Sequence, residues 1–89
     1  MGYDIRWTPH SRDHLSKHAV SEAEVEEAVA GWCFARKHRG QLTLIGRTAD
    51  RIMFIVLHPL PGNPPRYRVL SARNAKHSEK RLFLRKARR

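Results

Sequence analysis

The segment Arg51-Ile52-Met53-Phe54-Ile55-Val56-Leu57-His58 decides the fold. An unbroken apolar run between polar ends is the pattern of a central strand covered on both faces. The run is too short to cross a membrane. Working outward, Gln41 to Arg47 reads as the strand before it, joined through the tight connection Thr48-Ala49-Asp50-Arg51. Trp32 to Arg36 reads as a further strand, closed by a glycine-containing turn at His38-Arg39-Gly40. On the other side, Pro59-Leu60-Pro61-Gly62-Asn63-Pro64-Pro65 is a proline-rich loop. Arg66 to Arg73 is then the last strand, with Tyr67, Val69 and Ser71 alternating against Arg68, Leu70 and Ala72. Short turns between these strands imply an antiparallel meander.

Upstream of the strands lie helix signals. Thr8-Pro9 is an N-cap followed by proline at the first helical position, and a short polar helix is expected from Pro9 to Lys17. Ser21-Glu22-Ala23-Glu24 matches a capping box, with Val20 and Val25 placed as its staple. Val25, Ala28, Val29 and Trp32 fall at helical spacing and predict one apolar face, with Gly31 as the stop. Tyr3 to Trp7 alternates as a short strand. From about residue 75 to 87 a basic helix is expected, docked by Leu82, Phe83 and Leu84. The reading is one α+β domain over residues 1–89. Two N-terminal helices and a C-terminal helix pack on a curved antiparallel sheet of four or five strands. At 89 residues the chain is too short for a Rossmann or barrel enzyme.

Charge is unevenly placed. Residues 1–45 balance their acids and bases, whereas residues 46–89 set twelve Lys and Arg against Asp50 and Glu79, so the net +10 lies in the second half. A field this one-sided suits a polyanion. The tail helix lacks the sustained apolar stripe of a membrane binder. The single cysteine, Cys33, reads as a core residue, and no zinc spacing is present. Without a signal peptide or a spanning segment, the expected location is the cytoplasm.

Certain stretches carry a resemblance: Trp7-Thr8-Pro9, Lys17-His18-Ala19-Val20-Ser21, Leu44-Ile45-Gly46-Arg47-Thr48, and Arg68-Val69-Leu70-Ser71-Ala72-Arg73 followed by Glu79-Lys80-Arg81. In order and spacing the sequence resembles the BrnT-type toxins of bacterial type II toxin–antitoxin systems, within the wider RelE/ParE-like superfamily. The resemblance runs from about Ile5 to Arg81. It implies a RelE-like fold and an endoribonuclease that inhibits translation. It also implies a cognate antitoxin as partner, with RNA, free or ribosome-bound, as substrate. Two positions depart from that family's pattern: Ala19 stands where a glycine is common, and Phe83 stands nearest to a usual tyrosine.

RNA cleavage without a metal needs a proton acceptor for the 2′-OH, cations for the charged phosphorane and an acid for the leaving oxygen. No cofactor is implied. Arginine suits phosphate through its forked, permanently charged donors. Arg47, Arg68 and Arg73 are the expected phosphate ligands, with the motif match favouring Arg47 and Arg73. His18 is the proton carrier within the family-like stretch, and His58 and His77 are further candidates. His10, His14 and His38 read as surface residues. Glu79, set among Lys76, Lys80 and Arg81, suits a salt bridge to an arginine better than general base work. Ser71 and Thr48 could donate to phosphate, and Lys17, Lys76, Lys80 and Arg81 could hold RNA. Trp7 and Trp32 read as core. Two other functions fit the same charge map: an RNA- or ribosome-binding module without chemistry, and a gyrase-directed ParE-like toxin. An antitoxin would shield the Arg47/Arg73 region.

Overall fold

The computed structural model describes residues 3–88, with His14 described by its backbone alone. Eight elements follow one another: β1 (Ile5–Arg6), α1 (Pro9–Lys17), α2 (Glu22–Ala30), β2 (Phe34–His38), β3 (Gln41–Arg47), β4 (Ile52–Leu60), β5 (Arg66–Asn74) and α3 (His77–Ala87). The strands form one sheet in the order β1-β5-β4-β3-β2. β2 to β5 are the expected antiparallel meander. β1 is only two residues long and pairs parallel with β5, Ile5 opposite Tyr67 and Arg6 opposite Arg68. A parallel pair needs a long crossover, and the whole of α1 through β4 supplies it.

Local chemistry explains the helix ends. The Thr8 hydroxyl accepts the Ser11 N–H at 3.1 Å, with Pro9 in the first turn. α1 closes in a Schellman motif: the Val20 N–H reaches back to the Leu15 carbonyl, and the Ala19 N–H to that of Ser16. That motif demands a left-handed residue, and Ala19 occupies it at φ 54°. In α2 the Ser21 and Glu24 side chains satisfy each other's backbone N–H groups as the capping box requires.

α1 and α2 cover one sheet face. Leu15, Val20, Val25, Ala28 and Val29 pack there on Leu42, Leu44, Met53, Ile55, Leu57, Val69 and Ala72. Gly46 makes the close approach possible, since a Cβ on it would sit 2.8 Å from the Ala28 carbonyl oxygen. α3 packs on β3 and β2 from the opposite face, burying Phe83 to 3% exposure. The fold is therefore the expected α+β arrangement.

Four details differ from expectation. First, β2 begins at Phe34 and runs through His38, because the turn is the two-residue Arg39–Gly40 with φ of 51° and 77°, the primed geometry that matches strand twist. Second, Trp32 does not extend the apolar face of α2. Helical geometry ends at Ala30, Gly31 is extended, and Trp32 is 53% exposed. Third, β5 carries a bulge. Val56 faces Ser71 and Leu57 faces Val69, leaving Leu70 unopposed. Val69 and Ala72 thus share the core face, while Arg68, Ser71 and Arg73 share the other, so the simple alternation of β5 fails at its centre. Fourth, β4 is sealed on the helical face only. Met53, Ile55 and Leu57 are buried, but Phe54, Val56 and His58 are half-exposed on the α3 side.

Candidate nucleic-acid interface

Strand register lays the outer sheet face out in rows. The first row is Phe34, Ile45, Phe54 and Arg73, on β2, β3, β4 and β5 in turn. The second is Arg36, Thr43, Val56 and Ser71. In the third, His38 pairs with Gln41, and His58 pairs with Arg68, whose neighbour on β1 is Arg6. Gln41 and His58 are the residues next to Leu42 and Leu57, the last paired positions of the β3–β4 ladder, so the row continues across the sheet. Alternation along each strand turns all these side chains away from the α1/α2 core. α3 covers the first row and leaves the other two open. Between its Glu79 and Leu82 and the sheet residues Phe34, Arg36, His38, Thr43, Ile45 and Phe54 is a cleft of about 370 Å³.

Arg73 stands at the junction of sheet and helix. Its Nη1 and Nη2 donate to the two Glu79 carboxylate oxygens at 2.9 and 3.0 Å, and its guanidinium lies 4.4 Å from the centroid of the Phe54 ring. Nη1 also donates to the Asn74 carbonyl at 3.0 Å. Its Nε has no hydrogen-bond partner among the described residues. The Glu79 carboxylate additionally accepts the Lys76 N–H at 2.7 Å. The Arg73 hydrogen bonds, above all, hold its carboxyl below the usual carboxylate range, with the Lys76 N–H adding to them against the opposing effect of burial. It is ionised at neutral pH and serves as an anchor for Arg73.

Arg68 is in a different state. It is half-buried, its Nε is sealed from solvent, and that Nε has no hydrogen-bond partner. No carboxylate pairs with its guanidinium among the described residues. A cation held partly out of water without a counter-charge is a site waiting for an anion. Beside it are His58 across the ladder and Ser71 along β5, and the Ser71 hydroxyl has no hydrogen-bond partner among the described residues.

The remaining expected residues are dispersed. Arg47 is exposed at the end of β3, its guanidinium 5.6 Å from the centroid of Phe83. It lines a separate concavity with Lys86, not the cleft that Glu79 lines. The structure thus puts Arg47 and Arg73 on one sheet face without bringing them into one cavity, because α3 lies across the first row. Thr48 is 4% exposed and its hydroxyl is spent inside the β3–β4 turn, accepting the Asp50 and Arg51 N–H groups and donating to the Arg51 carbonyl. This corrects its reading as a phosphate donor. Lys17 and His18 end α1 in the helical layer and are exposed there, away from the Arg68 row. Lys76 and Arg81 are exposed and Lys80 half-buried at the start of α3. His77 is the exposed first residue of that helix, and the His14 side chain lies outside the described residues. Arg36, His38, Gln41 and Arg6 are the outer-face residues that sequence reasoning missed. The alternation Phe34, Arg36, His38 would have found two of them, had the turn been placed one residue later.

Arg51, by contrast, is a clamp. It forks onto Glu24 through Nη2 and Nε at 2.7 and 2.9 Å and donates to the Ala19 carbonyl. It ties the α1–α2 corner to the start of β4. Cys33 is half-buried, with its thiol 3.1 Å from the Ala28 carbonyl, and burial pushes its pKa up to about 11. A thiol held protonated in this way is a poor nucleophile at neutral pH. Among the described residues, no cluster of three or more His, Cys, Asp or Glu side chains could hold a metal ion, and no helix is long and apolar enough to cross a membrane.

No protein-family profile and no curated protein matches the sequence. Among solved structures, the chain is similar to the crystal structure of the Brucella abortus ribonuclease toxin BrnT, with a TM-score of 0.59 and 22% identity over 84% of this chain and 99% of that one. The arrangement of three helices on a mostly antiparallel five-stranded sheet is therefore a BrnT-like fold.

Proposed function

We propose that this chain is an endoribonuclease toxin of a type II toxin–antitoxin pair, of the RelE/ParE-like kind, cleaving RNA on the open outer face of its sheet. The observation that carries the reading is Arg68, a half-buried residue whose sealed Nε has no partner, set beside His58 and Ser71 on the outer sheet face that also carries Arg6, Arg36 and Arg73. Likeness of fold to a ribonuclease toxin supports it.

In this reading Arg68 and Arg36 take the non-bridging oxygens of the scissile phosphate, and the Ser71 hydroxyl donates a further hydrogen bond. The Nε edge of Arg73 receives the neighbouring phosphate. His58 accepts the proton of the ribose 2′-OH as that oxygen bonds to phosphorus. The bond from phosphorus to the 5′-oxygen breaks, and the departing oxygen takes its proton from His38. The products are a 2′,3′-cyclic phosphate and a 5′-hydroxyl, and no redox or metal step is required. Cations around the phosphorane stabilise charge that is greater in the transition state than in the bound substrate. An acidic antitoxin would silence the enzyme by covering the same arginines.

The test is incubation of the purified chain with single-stranded RNA in the presence of a chelator, with analysis of the new ends. Cyclic phosphate ends that disappear in His58→Ala support the proposal. RNA bound in a salt-sensitive manner but left intact would make the chain a binding module instead.

A further inference from the structure

On the other side of α3 from the cleft is a wider concavity of about 720 Å³, formed by Gly31, Trp32, Phe34, Arg47, Phe83 and Lys86. Its composition is unusual for a surface groove. Trp32 is 53% exposed yet held in place, its ring 5.4 Å from that of the buried Phe83 and tilted by 58°. The Arg47 guanidinium lies 5.6 Å from the centroid of Phe83, and the Lys86 ammonium 5.7 Å from that of Phe34. Neither cation has a carboxylate partner among the described residues.

A large indole surface left in water gains little unless something covers it. Two unpaired cations flank it. The occupant that matches is flat, has a π-face and is negatively charged. An acidic peptide supplies the charge but no obligatory π-face, whereas a nucleotide supplies both. We infer that this groove binds one nucleotide of single-stranded RNA, the base stacked on Trp32 and its phosphate held between Arg47 and Lys86. The inference rests on the RNA reading of the open face. It adds a second contact region: Arg47 on β3 is two strand spacings, roughly 10 Å, across the sheet from β5 and three rows, roughly 20 Å, along it from Arg68, a separation that an RNA segment of several nucleotides spans. It also gives Arg47 a role outside the cleavage centre.

The groove is tested with a short 2′-O-methyl oligonucleotide, which cannot be cleaved because its 2′-oxygen carries no proton. The full chain is titrated into the fluorescein-labelled oligonucleotide, affinity is read from the anisotropy of the label, and the tryptophan emission of the parent is followed alongside. Trp32 lines the groove and Trp7 does not, so quenching that is lost in Trp32→Ala is assigned to the groove. The expected result is saturable quenching, with affinity about tenfold weaker or worse in Trp32→Ala. Trp32→Phe keeps a stacking ring and stays within about threefold of the parent, while an abasic oligonucleotide binds the parent and Trp32→Ala alike. Replacing Arg47 and Lys86 together by alanine lowers the salt dependence by about one phosphate contact. Equal affinity of the parent and Trp32→Ala for the base-bearing oligonucleotide overturns the inference. So does quenching by a Glu- and Leu-rich peptide but not by the oligonucleotide. Cleavage of unmodified RNA is scored separately. Trp32-dependent binding by a chain that cuts nothing refutes the ribonuclease reading and keeps the groove, and cutting without a Trp32 contribution refutes the groove alone.

Discussion

The Arg73 guanidinium meets the Glu79 carboxylate edge to edge, two hydrogen bonds at 2.9 and 3.0 Å, at the point where β5 gives way to α3. This fork supports one wall of the cleft, because Glu79 and Phe54 line it and Arg73 holds both, the one by its fork and the other ring to guanidinium. Glu79→Gln keeps the shape of the side chain but loses the second charge-assisted bond. The expected cost is about 1–3 kcal/mol in denaturant unfolding. RNA binding should also fall, since Arg73 is then free to leave the Phe54 ring. Arg73→Lys cannot form the fork and should resemble Glu79→Gln in both measurements.

The pH dependence of stability follows from two carboxylates. Glu79 and Glu24 both have their pKa lowered in the folded chain, chiefly by hydrogen bonds from Arg73 and Arg51 respectively. A depressed folded pKa stabilises the protein above the unfolded value, and that contribution is lost as the pH falls through the folded value. Urea unfolding should therefore give a flat stability near neutrality and a decline from about pH 4.5 downward. In the double variant Glu24→Gln/Glu79→Gln the neutral plateau drops and the acid limb flattens. An acid limb of unchanged steepness would show that other groups carry it.

Two backbone positions carry avoidable strain. Ala19 and Arg39 both adopt left-handed geometry without being glycine or asparagine. Ala19→Gly should stabilise by about 1 kcal/mol, and Arg39→Asn by a smaller amount, because the native turn requires the conformation these residues favour. Gly46→Ala has the opposite sign. Its new methyl meets the Ala28 carbonyl, which cannot move without shifting α2. Overpacking of this kind costs roughly 1–3 kcal/mol. Thermal melts of the three variants test all three signs.

The parts of the fold legible in the sequence were those set by local chemistry. The Ser21–Glu24 capping box and the Thr8-Pro9 helix start stand as read, and the apolar run of β4 is a central strand as read, though covered on the helical face alone. The departures arise where one residue changes direction. A bulge at Leu70 brings Arg68 onto the face of Ser71 and Arg73, and nothing in the alternation of β5 announces it. Arg39 in a primed turn adds His38 to β2 and brings it onto the outer face. Extended geometry at Gly31 removes Trp32 from the helix that its spacing fits. For the site, sequence could nominate Arg68 as a phosphate ligand, but only packing reveals that its charge is left unpaired. Thr48 shows the reverse, since a hydroxyl at a strand end reads as available until the turn consumes it.

The central claim is that Arg68 is kept for an anion at the expense of the free protein. Arg68→Met removes a half-buried cation and keeps the apolar stem, so the folded state should be as stable as the parent or up to about 1 kcal/mol more stable. RNA affinity should fall about tenfold or more, with the salt slope reduced by about one contact. The decisive measurement is the pair of values from one preparation: the unfolding midpoint and the affinity for a non-cleavable RNA. A midpoint that holds or rises while affinity collapses is the predicted result. A midpoint that collapses while affinity holds would make Arg68 a structural residue and contradict the account.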